Sequence, residues 1–496
     1  MFKRLMVIVS ALLLLCAFAQ AQTVVKTLVV SNNFSTTAGT PRVVRDSFLH
    51  QWLILWRQQG APVKAMGRIV QSDGTMVAAK VLISGLSSAP DNLDVAFDSI
   101  KYNYLVAFEN AGGLSVQLFN GTLVKQGAAV VIEGGVNNTH AKVTYDPIGQ
   151  KFIVFWVSTS SGAPGKVLKS RVLDSMGHVT ADAKTLSQAP SGKIYTSLTI
   201  STNQKNGNLE ALLTQSTGAA GDLVGFAIKR DGTLLRAVPT SFQPPTNGFN
   251  VTADASFADA GTGFTFWADG TTIKFRKLNL TLGTASPTKG LNSAADVNSK
   301  QTSMLFDSRN NQFIGAWAMA NTVRAFVLNP VSGAIMIQPF LVANSSLSQA
   351  RDVATSYDAS VGNAIVVWED SNVNAATVSK GGSSFKIRAA IFFIASASSS
   401  STISIGDDFY APNTLTIPQG TTVIWTDNGH SQHTVTSGNG SPSGMFDSGV
   451  LNPGQQFSFR FTGAGSFQFY CQIHGANVMS GTITVSGGSG EPGPHY

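Results

Sequence analysis

The run Phe467-Gln468-Phe469-Tyr470-Cys471-Gln472-Ile473-His474-Gly475-Ala476-Asn477-Val478-Met479 sets a thiol, an imidazole and a thioether on one short stretch. Cys471 leads to His474 by C-x-x-H, and four residues separate His474 from Met479. A Cys thiolate and two imidazoles in a trigonal arrangement, with a weak axial Met, form the ligand set that holds copper for one-electron transfer. Three of those four ligands are available here. So short a loop cannot surround an ion, and the remaining imidazole must come from a distant strand. His433, in Trp425-Thr426-Asp427-Asn428-Gly429-His430-Ser431-Gln432-His433-Thr434-Val435-Thr436, is the candidate, with His430 an extra imidazole that leaves the choice open.

The elements that must position these groups follow from alternation. Phe467, Phe469 and Cys471 recur with period two, which predicts a strand delivering Cys471 at its end, and Gly481 to Val485 resumes as the next strand. Taken singly, each residue has a plainer reading: a buried Cys as a small apolar group, a solvated turn His, a core Met. Their order and spacing favour the ligand set.

Phe409 and Pro412, Ile417-Pro418-x-Gly420, Val423-x-Trp425, the His433-Thr434-Val435-Thr436 segment and C-x-x-H-x-x-x-x-M stand in the order of a known family. Residues 401 to 486 resemble a cupredoxin of the plastocyanin or amicyanin type. That resemblance implies a Greek-key β-sandwich and one type 1 copper per chain, held by His433, Cys471, His474 and Met479. It also implies a redox protein partner, such as a c-type cytochrome or a copper oxidoreductase. Thr434 is a departure, standing where many relatives have Asn.

Met1 to Ala21 carries Lys3 and Arg4, the apolar run Leu5 to Phe18 and then Ala19-Gln20-Ala21. This reads as a secretory signal peptide with a small-x-small cleavage site, which directs the chain to the periplasm or outside the cell. Cys16 would leave with it, so Cys471 would be the lone thiol of the mature chain. An unprotected thiol in an oxidising compartment is a liability, and a bound metal removes it. No later apolar stretch is long enough to span a bilayer.

Residues 22 to 395 show a repeat. Apolar strands ending in a large residue recur with anchors at Trp56, Phe108, Trp156, Leu213, Trp267, Trp317 and Trp368, spaced 48 to 57 residues apart. Each anchor strand follows a polar turn, often after an Asp, as at Asp98, Asp146 and Asp307. Two further strands come after it, joined by turns such as Ser72-Asp73-Gly74. Four short strands per unit match a propeller blade. The last unit lacks a fourth strand, while Lys26 to Ser31 forms an orphan ahead of the first unit. The fold expected is therefore all-β: a seven-bladed β-propeller whose N-terminal strand closes the last blade, then the cupredoxin sandwich. The recurring Trp and Asp have structural roles in this reading, packing between sheets and bonding hairpin turns.

The expected boundaries are a signal peptide at 1–21, the propeller at 22–395, a Ser-rich linker at 396–401, the cupredoxin at 402–486 and a disordered tail at 487–496. A propeller followed by a cupredoxin resembles nitrous oxide reductase in architecture. The chemistry does not carry over, because the mature chain has one Cys and residues 22 to 400 hold only His50, His140 and His178. No nucleophile elbow or phosphate loop appears in supporting context. From residue 401 onward Arg460 opposes Asp407, Asp408, Asp427, Asp447 and Glu491, a net charge of −4, while the whole chain carries +7. No basic stripe interleaved with aromatics points to nucleic acid. The reading is a monomeric electron carrier rather than a catalyst, with the propeller as a binding scaffold. The alternatives are copper delivery, a recognition propeller with an accessory cupredoxin, and an oxidoreductase with a substrate site on the propeller.

Overall fold

The computed structural model describes residues 23–486 apart from 32–37, 88–92, 136–138, 159–166, 203–208, 217–220, 236–239, 242–252, 258–261, 270–271, 280–283, 295–301, 320, 345–348, 372–384, 394–399, 419–420 and 462–464. The expected signal peptide, the tail and residues 396–399 of the expected linker lie outside the described residues. Every regular element among those described is a strand, and no helix there is long and apolar enough to cross a membrane. The chain forms two compact units, one spanning Val24–Phe392 and the other containing Phe393–Tyr496.

In the first unit the second strand of each repeat is the most apolar, because it is covered on both faces. Gln51–Gln58, Asn103–Asn110 and Lys151–Ser158 are buried along almost their whole length. Such strands read as continuous apolar runs instead of alternating ones. Around the first of them, Ala38–Asp46, Gln51–Gln58, Lys64–Gln71 and Lys80–Ser84 form a four-stranded antiparallel meander. Six further sheets follow the same plan. The innermost strand of each sheet touches that of the next, and Gln349–Asp358 of the last touches Ala38–Asp46 of the first. The ring is closed, and it is a seven-bladed propeller.

The last blade takes its outer strand from the other end of the chain. Thr23–Val29 lies beside Phe385–Phe393, giving the order Thr23–Val29, Phe385–Phe393, Asn363–Ser371, Gln349–Asp358. Just beyond it, Val30 donates its N–H to the Ile387 carbonyl at 2.8 Å, and the Ile387 N–H returns to Ser31 Oγ at 2.8 Å. The orphan strand of the sequence thus covers an edge that would otherwise be open.

The anchor residues pack between blades. Trp52 and Trp56 share a cluster with Ile365, Val367 and Ile387 of the last blade, and Trp156 joins Leu105 and Leu118 of the second blade. The recurring Asp bonds its own hairpin. Asp46 accepts the N–H groups of Phe48 and Leu49, both at 2.9 Å, and Asp98 accepts those of Ile100 and Lys101 at 2.8 and 3.0 Å. The same carboxylates also bind the adjacent blade: Tyr104 donates to Asp46 at 3.1 Å, and Arg230 pairs with Asp146 at 3.0 Å.

The second unit is a sandwich of two sheets. One is ordered Tyr410–Ala411, Ser400–Ile405, Thr422–Asp427, Gln456–Arg460, and the other Thr414–Pro418, Ser480–Ser486, Gly465–Tyr470, Thr436–Gly438, Pro442–Asp447. Ser400 and Ser401, read from sequence as linker, open a strand here and pair in parallel with Thr422 and Val423. Between the sheets lies the fully buried Trp425, ringed by Phe446, Phe457, Phe461 and Phe469 at centroid distances of 5.5 to 6.4 Å.

Candidate metal centre

Cys471 follows directly on the strand Gly465–Tyr470, whose last residue pairs with Ser480. The intervening loop is closed by its own backbone. Cys471 N–H donates to the Met479 carbonyl at 3.0 Å, Gly475 N–H to the Cys471 carbonyl at 2.9 Å, and Met479 N–H to the Gly475 carbonyl at 3.0 Å. Gly475 sits at φ +79°, a left-handed conformation that glycine adopts without steric cost. These bonds hold the two ends of the loop together, so the three donor side chains cannot drift apart. Cys471 and Met479 are 0% and 1% exposed, and His474 is half-buried. Cys471 Sγ lies 3.4 Å from His474 Nδ1.

His433 comes from the neighbouring chain segment of the same sheet, three residues before Thr436–Gly438, which pairs with Gly465–Tyr470. Its backbone pairs with Leu451, N–H to carbonyl at 3.1 Å and the return bond at 2.8 Å. The ring is fully buried, with its centroid 5.1 Å from that of His474. The next residue joins the two ligand segments: Thr434 N–H points at Cys471 Sγ at 3.4 Å, and Thr434 Oγ1 accepts the Gln472 N–H at 2.8 Å. Thr434 therefore ties the two segments through both its backbone and its side chain.

Both ring nitrogens of His433 face oxygens. Nε2 is 3.0 Å from the Asp407 carbonyl oxygen, and Nδ1 is 3.0 and 3.1 Å from the carboxylate oxygens of Asp427. Burial pushes the His433 imidazole down, but the bond to the Asp407 carbonyl and the Asp427 carboxylate outweigh it, leaving its pKa above the usual histidine value. His430 is on the exposed rim, its ring 3.3 Å from Asp407. Backbone N–H bonding from His430, with help from its ring and from the Ser431 N–H, holds the Asp407 carboxyl below the usual range.

The structure thus brings Cys471 and His474 together, sets the His433 ring beside them and buries Met479 in the same core. It does not close them into a ligand cluster: no group of three or more His, Cys, Asp or Glu among the described residues stands in a metal-binding arrangement. The chemistry of the donor set nevertheless fits copper, with a buried soft thiol, two imidazoles and a thioether. Nor do the propeller's histidines gather: His50 lies by Ser360 at 2.9 Å, His178 pairs with Asp174 at 3.2 Å, and His140 belongs to an innermost strand.

The residues missed by sequence reasoning are Asp427 and Asp407. Asp427 left a signal. It follows Val423 and Trp425 on the inward face of Thr422–Asp427, and an acid at an inward strand position needs a buried partner.

A family model described as copper binding proteins, plastocyanin/azurin family, matches residues 397–486. Plastocyanin from Scenedesmus fuscus is 33% identical over 95 residues, which make up 17% of this chain and 97% of that protein. A purple cupredoxin from Nitrosopumilus maritimus is 33% identical, covers 17% of this chain and 99% of its own, and has a TM-score of 0.17. NanB sialidase from Streptococcus pneumoniae is 10% identical, covers 74% of this chain and 70% of its own, and has a TM-score of 0.45. Through its C-terminal residues the chain belongs to the plastocyanin/azurin family of copper-binding proteins.

Proposed function

We propose that this protein is an extracytoplasmic one-electron carrier whose copper is held by His433, Cys471, His474 and Met479, with the propeller as a scaffold that binds a partner protein or ligand. The observation that carries the reading is the buried thiol of Cys471, 3.4 Å from His474 Nδ1 and 3.4 Å from the Thr434 N–H. Copper, when bound, supplies a couple between Cu(II) and Cu(I).

The chain's own residues do the rest. The Thr434 N–H draws charge from the Cys471 sulfur, and the Thr434 to Gln472 bond keeps the two ligand segments at fixed spacing, so little rearrangement accompanies a change in charge. Met479, shielded from solvent, would supply the thioether donor that tunes the potential. His474 is the side of the centre nearest water. Ile473 and Val478, 49% and 61% exposed, give it an apolar rim against which a redox partner can exclude water. The apolar stretch Leu5 to Phe18 after Lys3 and Arg4 supports export.

The test is visible absorption and electron paramagnetic resonance of the purified chain after Cu(II) addition, beside Cys471→Ser, with copper counted per chain. One copper, an intense thiolate-to-copper band and narrow hyperfine splitting are expected, all lost in the variant. A colourless wild-type protein would refute the carrier reading.

A further inference from the structure

His433 has two ring nitrogens, and both are engaged. The Asp407 carbonyl faces Nε2 at 3.0 Å and the Asp427 carboxylate faces Nδ1 at 3.0 and 3.1 Å. Carbonyl and carboxylate oxygens are acceptors, whereas a metal requires a nitrogen lone pair directed at it. In this arrangement each ring nitrogen is aimed at a protein oxygen. The partner is not free to move away, because Asp427 ends a strand and its Oδ1 also accepts the Gly429 N–H at 3.1 Å. Neither side chain reaches solvent, so water does not weaken their attraction.

We propose, building on the copper reading above, that Asp427 is an internal competitor for His433, holding the imidazole against metal so that copper capture requires the Nδ1 contact with Asp427 to be given up. Asp427 is a positioning residue in this role, and the sign of its effect is unusual. The ordinary partner of a metal-bound imidazole supports the ligand, and its loss weakens metal affinity about 10–100-fold. Here loss of the partner strengthens binding. The Thr434 bonds to Sγ and Gln472 remain in place throughout, so the competition is confined to one ring and leaves the Cys471 side of the centre ready.

The experiment compares wild type, Asp427→Asn and Asp427→Ala, each full-length and metal-free, titrated with Cu(II) against a competing chelator while the thiolate-to-copper band is followed. Both variants are expected to load faster and bind about tenfold tighter, since a hydrogen bond to a charged group no longer has to be broken. Unchanged or weaker affinity in the variants overturns the proposal. Crystal structures of the wild-type chain with and without copper supply a readout that needs no variant to fold. The Nδ1 to Asp427 contact is expected in the metal-free form and lost in the loaded one, and its survival in both overturns the proposal. Wild type that develops no band at all brings down the carrier reading itself, an outcome distinct from a band with altered affinity.

Discussion

Thr434 performs two separate tasks with two atoms, and they can be separated by substitution. Its backbone N–H acts on the sulfur, while its side-chain oxygen accepts from Gln472. Thr434→Ala keeps the first and loses the second. It is expected to lower the unfolding free energy of the second unit by about 1 kcal/mol, the usual net worth of one hydrogen bond, and to leave the thiolate-to-copper band in place. Amide hydrogen exchange of the strand Thr422–Asp427 at rising denaturant, beside an absorption spectrum, checks both halves. At this scale the Cys471, His474 and Met479 grouping was legible because all three lie on one loop, and adjacency in sequence there means adjacency in space. The state of His433 was not. Its two partners stand 6 and 26 residues earlier, and only folding decides which nitrogen meets which oxygen.

Strands covered on both faces were the easiest elements to read, since every residue of Trp52 to Trp56 or Phe152 to Trp156 is apolar and buried. Trp317 belongs to this class, packed against Phe266 and Phe326 at 6.2 and 5.8 Å. Trp317→Ala is expected to cost about 3–5 kcal/mol, read as a fall in the denaturant midpoint of the propeller. Outer strands were harder. In the fifth blade the edge position is shared by Thr284–Ala285 and Lys289–Ala294, both on Thr272–Asn279. Pro287 lies between them and cannot donate to a ladder. A run of Ser likewise gave no periodic signal that Ser400 and Ser401 would begin a strand, because their place comes from pairing with Thr422 and Val423.

Across the whole ring, the seam between the last blade and the first is the one that chain connectivity does not supply. Besides the strand Thr23–Val29, it is held by Arg45, 2.6 Å from Asp358, and by Ser72, whose hydroxyl donates to Asp358 at 2.8 Å. Burial raises the Asp358 pKa, but the Ser360 hydroxyl, the Arg45 charge and Ser72 more than offset it, leaving it below its ordinary 3.8. A carboxyl depressed in the folded state stabilises above its unfolded pKa, and that contribution fades as pH falls through the lower folded value. Propeller stability should therefore drop as pH goes below about 3.8, and Arg45→Ala should reduce the drop. Thermal melts from pH 5 to pH 2.5 of both proteins decide it. The seam also has a consequence in time. Synthesis delivers Thr23–Val29 first and Phe385–Phe393 last, so the earliest strand must wait, unpaired, for nearly the entire ring to emerge. During that interval an exposed edge invites pairing with a neighbouring nascent chain. The hazard lasts until the final blade exists, and a holdase that shields the N-terminal strand over that interval is expected to raise the yield of folded protein.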